Sequence, residues 1–409
     1  MTNSEHPPRK KLCLHLTEET AVDALQQMAL LNSEAKTKRP PSCSPSPDNS
    51  PTLTPSASGT SSAAFMSLDY TNKLSAPSTL TSGSKQFESR SVLLPPSRDT
   101  YRTGNINSPN ATSAVFVCAI QVALRPPDES PWDALVRIER QMESIAGSDS
   151  VDIFVLPELA PIGYSEDTFS KYLPINATNQ AMYQEFDRLF QVFARKFNSY
   201  ICYGTIGWSY DNRNIAMIRL GIPRLFIRQI VVDRLGTQVA CYDKTYLCNY
   251  GECTESRFFQ PGPASVPTSF SVYSRDRSSV YRFGLLICSD MRYPNLSRTL
   301  TADPEHCVDC ILQPSAFVRD YSFRTWSSFR ETRAVENSIF WIGINYAGRN
   351  YGETSIVPPF VDADHEPISL ECEEGYVIGR VARSTIDYAR SQFPFYRNLM
   401  MEESMKLRK

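Results

Sequence analysis

From about Ala114 onward the sequence predicts a layered α/β domain built on a mixed sheet, on three observations. Short β-rich runs interleave with segments of helical spacing, which is the pattern of strands joined by covering helices. A turn near Arg234, Leu235 and Gly236 joins two such runs as a hairpin, so part of the sheet is antiparallel. The chain has 409 residues, 41% apolar and 11% aromatic, enough for at least one large core.

Taken in order, VFVCAIQVAL reads as the first strand, followed by a helix around Trp132 to Ile145, the strand DIFVLPE and a helix around Asn179 to Asn198. SYICYGTIGW, the hairpin QIVVDRLGTQVACYDK, RFGLLICSD and CVDCILQPSA continue the strands. WSSFRETRAVEN is a helix before the last of them, SIFWIGINYAG. No internal repeat is visible. Residues 209–228, through the run GIPRLFIRQ, are expected to shape a pocket. The C-terminal FPFYRNLMM, with three aromatics and an apolar end, is expected to cross into a partner subunit.

Ahead of this domain, residues 1–113 read as a tail. From about residue 34 to 113 Ser, Thr, Pro, Asn and Gly dominate, with too few large apolar residues to offset chain entropy, so disorder is expected. Within Thr17 to Ser33, Val22, Leu25, Met28 and Leu31 lie close to helical spacing behind a Thr cap, and predict a short helix. The basic segment PPRKKLCLHL and the pairs Ser44-Pro45, Ser46-Pro47, Ser50-Pro51 and Thr54-Pro55 read either as a solvated tail or as sites that meet an import receptor or a kinase.

Lys plus Arg number 42 against 44 Asp plus Glu, so no basic field favours nucleic acid or an anionic membrane, and a small neutral substrate is compatible. No run of 18 or more apolar residues occurs, nor a secretory or transit leader, so the expectation is a cytoplasmic protein, with a nuclear pool if the basic segment is an import signal. Eleven cysteines over such a length form no disulfide framework and are expected as free thiols. Histidine is scarce, only His6, His15, His306 and His365, which sets aside Ser-His-Asp, Cys-His and multi-His metal chemistry. A general base must then be a carboxylate or a lysine.

Three strand-like runs end in a reactive residue: DIFVLP in Glu158, QVACYD in Lys244 and RFGLLI in Cys288. Strand carboxyl ends are where α/β folds bind ligands, so the three are expected to converge. Singly, each has a plain structural explanation, a packed thiol or an exposed charge. Together they form a set: a thiol nucleophile needs a nearby cation, a base and oxyanion donors. Cys307-x-x-Cys310 reads as core packing rather than a zinc half-site, because no second pair accompanies it. Cys248 and Cys253 flank the loop before Glu255 and receive no chemistry.

In LPELAPIGY around Glu158, YDKTYL around Lys244 and FGLLICSDMRYP around Cys288, the chain resembles the nitrilase superfamily of carbon-nitrogen hydrolases, in that family's order. GECTESRFFQPG resembles the loop carrying its second glutamate, here Glu255; QPSAF, RETRAVEN and GETSIVPP fall where relatives carry comparable segments. The resemblance covers about residues 114 to 398 and none of the tail. It implies a four-layer α-β-β-α sandwich over residues 114–409, a homodimer or larger assembly, and no metal or organic cofactor. It also implies a mechanism: Glu158 takes the Cys288 proton, the thiolate attacks an amide or ureide carbonyl, and Lys244 with the Ser289 backbone N–H holds the oxyanion. Water then hydrolyses the thioester. Glu255 orients Lys244 or the substrate, or is a structural loop carboxylate.

Asp290 and Arg292 sit in Cys-x-Asp-x-Arg-x-Pro, shared by amidase and N-carbamoyl branches. Two readings of Arg292 stay open: a bidentate partner for a substrate carboxylate, or a structural pair with Asp290. Nitrile-hydrolysing members follow the cysteine with Trp-Glu, where this chain has Ser289 and Asp290, so amides or ureides are favoured over nitriles. Asn295 stands where many relatives have Glu, which leaves the branch open. The competing classes are a catalytically silent scaffold driven by a phosphorylatable tail, against which the complete set Glu158, Lys244 and Cys288 speaks, and a nuclear adaptor using PPRKK, which rests on one short basic cluster with no aromatic-basic pattern.

Overall fold

The computed structural model describes residues 114–210, 220–251, 253–263, 268–303, 306–363 and 365–395, with 398 and 401. The expected tail over residues 1–113, its helix at 17–33 and its Ser-Pro sites lie outside the described residues.

The strands assemble into two six-stranded sheets rather than the one mixed sheet that strand alternation suggests. The first contains β1 (Ala114–Gln121), β2 (Ile153–Val155), β3 (Tyr200–Ser209), β4 (Arg224–Val232), β5 (Gln238–Asp243) and, from the far end of the domain, β12 (Gly375–Ala382). Their order is β12-β1-β2-β3-β4-β5, parallel through β1, β2 and β3 and antiparallel elsewhere. The second contains β6 (Ser269–Tyr273), β7 (Val280–Leu285), β8 (Cys310–Pro314), β9 (Phe340–Ile344), β10 (Ser355–Val357) and β11 (Ile368–Ser369). It runs β11-β10-β9-β8-β7-β6 and is parallel through β7, β8 and β9. One continuous apolar core joins the two, from Val117, Phe154 and Ile201 of the first to Phe283, Leu312 and Trp341 of the second.

Helices cover the outer faces. α1 (Pro131–Ser148) starts at Ser130, whose side chain accepts from the Asp133 N–H, with a proline in the first turn. It buries Leu135, Ile138, Met142 and Ile145, one stripe at three- and four-residue spacing. α3 (Ala177–Phe197) is capped by Asn176 and stopped by Asn198 in the left-handed region at φ 49°. Its Phe190 stacks on Tyr203 of β3 with ring centroids 4.0 Å apart, burial worth about 1.5–3 kcal/mol for such a side chain. The short α2 (Glu166–Tyr172) precedes it. On the second sheet lie α4 (Pro294–Thr301) and α5 (Thr325–Asn337), and α6 (Arg383–Gln392) follows β12. The result is the four-layer α-β-β-α sandwich.

Several sequence expectations need correction. Within the stretch 209–228, Arg224 to Arg228 form strand rather than loop, pairing with Ser209 to Thr205 in the β3–β4 ladder, and residues 211–219 lie outside the described residues. Both long helices start earlier than expected, at their caps. β6, β10, β11, β12, α2, α4 and α6 were not anticipated; β12, at the edge of the first sheet, mixes partly and fully buried residues. Apart from these differences, Phe393, which opens the C-terminal stretch, lies on Phe360 with ring centroids 5.7 Å apart. Among the described residues no helix is long and apolar enough to cross a membrane.

Candidate active site

The carboxyl ends of β2, β5 and β7 meet at the seam between the sheets, so Glu158, Lys244 and Cys288 converge, two from one sheet and one from the other. The chain turns sharply at two of these exits. Leu159, directly after Glu158, sits at φ 58°, and Cys288 itself at φ 46°. Left-handed backbone is uncommon for such side chains, and it re-aims each strand exit toward the seam. The Glu158 turn lies hard against β3: a Cβ on Gly204 would overlap the Leu159 backbone nitrogen, so glycine is required there. The chain closes similarly over Lys244, where Gly262 N–H donates to the Lys244 carbonyl at 2.8 Å and a Cβ on Gly262 would strike the Asp243 carbonyl.

Lys244 is fully buried and its Nζ donates to two carboxylates, Glu158 Oε1 at 2.8 Å and Glu255 Oε1 at 2.7 Å. Each carboxylate spends its second oxygen on a backbone N–H: Glu158 Oε2 accepts from Ala316 at 2.9 Å, and Glu255 Oε2 from Cys248 at 2.7 Å. Tyr164 OH donates to Glu255 Oε1 at 2.5 Å, and Tyr346 OH to the Glu158 carbonyl at 2.6 Å. Each of the four carboxylate oxygens thus has at least one donor, which is a condition for keeping charge inside a protein.

The electrostatics follow from burial and from the lysine. Desolvation pushes the Glu158 carboxyl up to about 7, with Lys244 pulling the other way and Glu255 adding to the rise. Burial acts to lower the Lys244 ammonium, but Glu158, Glu255 and Cys288 outweigh it, so it is held well above the ordinary lysine value and stays charged. Burial likewise raises the Cys288 thiol well above its usual value, opposed by Lys244. The Cys288 thiol thus lies within the fields of both the Lys244 ammonium and the Glu158 carboxyl.

Cys288 opens a one-turn 3-10 helix, Cys288–Arg292, with Ser289 second in it. Ser289 Oγ donates to the Tyr246 carbonyl at 2.5 Å, tying this turn to the loop after Lys244. Gln313 Nε2 donates to the Cys288 carbonyl at 3.1 Å, and Trp341 Nε1 holds Gln313 Oε1 at 2.8 Å. Asp290 and Arg292 do not pair, which overturns the structural reading of that motif. Asp290 is fully buried and accepts from Tyr242 OH, Tyr246 N–H and Ile287 N–H. Arg292 instead faces three rings, Tyr250 at 4.9 Å, Phe317 at 5.3 Å and Phe329 at 5.4 Å, and donates to Ser322 Oγ at 3.2 Å. Its buried Nε has no hydrogen-bond partner.

The catalytic and supporting residues that the sequence pointed to, Glu158, Lys244, Cys288, Glu255, Ser289 and Arg292, lie around this seam, with Glu255 in contact with Lys244. Tyr164, Ala316, Tyr346 and Gln313 were missed. Tyr164 closes the LPELAPIGY run and Ala316 lies in QPSAF, so the segments were visible while the atoms were not. Cys310 is fully buried in β8, as core packing requires.

The family profile described as Carbon-nitrogen hydrolase matches residues 117–390. Deaminated glutathione amidase from Bos taurus is 26% identical over 188 residues, 43% of this chain and 53% of that protein. The Homo sapiens protein of the same name is 26% identical over 178 residues, 41% of this chain and 50% of its own length. The match thus spans about half the length of these relatives. A hydrolase of Schizosaccharomyces pombe is 23% identical over 327 residues, 75% of this chain and 92% of that protein. Among solved structures, an amidase of Nesterenkonia AN1 from the nitrilase superfamily superposes with a TM-score of 0.52 at 20% identity, covering 72% of this chain and 99% of that one, a likeness of fold.

Proposed function

The chain belongs to the carbon-nitrogen hydrolase family, and from that premise we propose that it is an amidase opening a linear amide or N-carbamoyl bond through a thioester on Cys288. The observation that carries the proposal is Lys244 buried between Glu158 and Glu255 at 2.8 and 2.7 Å, with the Cys288 thiol inside its field.

In this mechanism Glu158 accepts the Cys288 proton and the sulfur attacks the carbonyl carbon. Charge develops on the carbonyl oxygen, which Lys244 and the Ser289 N–H receive; N–H groups in a helix's first turn lack intrahelical acceptors. One such donor is commonly worth about 3–4 kcal/mol of barrier. Glu158, now protonated, gives its proton to the leaving nitrogen, and the C–N bond breaks. Water then attacks the thioester with Glu158 again as base, returning the thiol and releasing an acid. Glu255 acts through Lys244, as a positioning residue.

Arg292 supports an anionic substrate. Its guanidinium has no carboxylate partner among the described residues, and it lies against Tyr250, whose hydroxyl burial and the Cys248 thiol raise while Arg292 pulls it down. A substrate carboxylate would give Arg292 its missing counter-charge. The name shared by the mammalian relatives, an amidase, agrees with the reaction class. The test is ammonia release by wild type and Cys288→Ala over carboxamides, N-carbamoyl compounds and nitriles, each with and without a distal carboxylate. Release from a carboxylate-bearing amide or ureide that vanishes in the variant is expected. Equal rates in wild type and variant would overturn the reading.

A further inference from the structure

Beside the Lys244 site lies a second thiol pair that this mechanism does not use. The loop after Lys244 closes back on itself through Glu255: the Cys248 N–H donates to Glu255 Oε2 at 2.7 Å, and the Glu255 N–H donates to the Cys248 carbonyl at 3.1 Å. Inside that ring the Cys253 N–H donates to the Tyr250 carbonyl at 3.1 Å, which turns residue 253 back toward residue 248. The Cys248 and Cys253 side chains lie close enough for each to perturb the other's ionisation, and Cys248 Sγ also reaches the Tyr250 carbonyl at 4.0 Å. Cys248 is buried against the Lys244 pocket, whereas Cys253 is half-buried and reachable from solvent.

We propose that Cys248 and Cys253 form a peroxide-sensitive dithiol that closes reversibly to a disulfide and so switches off the Lys244 site. The two thiols divide the work unequally. The nearby Cys253 thiol holds the Cys248 thiol below its usual value, helped by the Lys244 charge against the cost of burial. Cys248 in turn, followed by burial, holds Cys253 above it. Cys248 is thus the more acidic, attacking sulfur, and Cys288, raised by burial, is the less reactive toward peroxide at rest.

In the first step the Cys248 thiolate attacks a peroxide oxygen, the O–O bond breaks, and Cys248 becomes a sulfenic acid as hydroxide leaves. Cys253 sulfur then attacks the sulfenic sulfur. An S–S bond forms, the S–O bond breaks and water leaves with the Cys253 proton. In balance, two thiols and one hydrogen peroxide give one disulfide and two waters.

A disulfide requires sulfurs about 2.05 Å apart, far closer than two unbonded thiols. Closing that gap draws residue 253 toward residue 248, and Glu255 is two residues further on. The ring through Cys248 N–H and Glu255 Oε2 must distort, and Lys244 loses its second carboxylate. The crosslink is independent of the functional reading above; only its effect on turnover rests on it.

The experiment treats the full chain with equimolar hydrogen peroxide, maps disulfides by peptide mass spectrometry without reduction, and follows amide turnover before and after dithiothreitol. Expected are a Cys248–Cys253 crosslink with loss of two hydrogens, a fall in turnover of about tenfold or more, the scale of one charged hydrogen bond, and recovery on reduction. Cys253→Ser should keep turnover and form no crosslink. Sulfenic acid trapped first on Cys288 with both loop thiols free would overturn the proposal, as would a crosslink that leaves turnover unchanged in an active enzyme. If wild type hydrolyses no amide, the mapping still reports the crosslink, so failure of the functional reading and of this one remain separate.

Discussion

The two sheets are wired alike, yet they bring unlike things to the seam. Each has a parallel middle, β1-β2-β3 in one and β7-β8-β9 in the other, with antiparallel strands toward the edges. The first supplies the charge, Glu158 after β2 and Lys244 after β5. The second supplies the Cys288 thiol after β7 and a neutral frame: Ala316 N–H after β8 and Tyr346 after β9, both donating to Glu158. Charge on one wall is thus held in place by the other wall, so neither sheet carries a working site alone.

Breaking the second wall's contribution should have the largest effect. Cys288→Ala is expected to lower kcat/KM by at least about 10⁴-fold, as for other covalent nucleophiles, while leaving thermal stability near wild type, checked by ammonia release and calorimetry.

On the first wall, Glu158→Gln should cost about 10²–10⁴-fold, the range of a general base. It should also remove a rise in wild-type kcat/KM as pH increases through about 7, since the base must be unprotonated and burial has raised it to that value. A pH profile in which the limb survives the substitution would exclude Glu158 as its source.

Lys244→Met leaves two buried carboxylates without their cation, and loss of one partner of a buried pair costs about 3–5 kcal/mol. The sign follows from the carboxyl. A folded-state value raised above the unfolded one contributes stability that is present at low pH and lost as pH rises through the folded value. The deficit in denaturant midpoint should therefore be small near pH 5 and grow above 7.

Smaller effects sharpen the comparison at the contacts between the walls. Gly204→Ala forces the Glu158 turn off β3 and should cost about 1–3 kcal/mol, the range for overpacking. Tyr346→Phe removes only the hydroxyl donated to the Glu158 carbonyl and should cost about 0.5–1.5 kcal/mol by chemical denaturation.

This division of labour explains what the sequence revealed and what it withheld. Glu158, Lys244 and Cys288 were legible because each ends an apolar strand run, and strand ends are local signals. That the runs belong to two sheets was not legible from periodicity, because β8 and β9 are buried on both faces and read alike in either arrangement. β12 was passed over although it pairs with β1 along its whole length; a partner so distant in the chain leaves no local mark. Arg292 resisted for a different reason: one sequence shows that an arginine follows Asp290 but not whether the two touch. The structure turns it toward Tyr250, Phe317 and Phe329 instead.

The most direct test of a site shared between the sheets is to quench the enzyme during turnover of a carboxylate-bearing amide and weigh its peptides. An acyl mass is expected on the Cys288 peptide, none in Cys288→Ala, and a larger acylated fraction when Glu158→Gln slows hydrolysis of the thioester more than its formation. Undiminished turnover in Cys288→Ala, with no acyl mass on any peptide of the wild type, would contradict it.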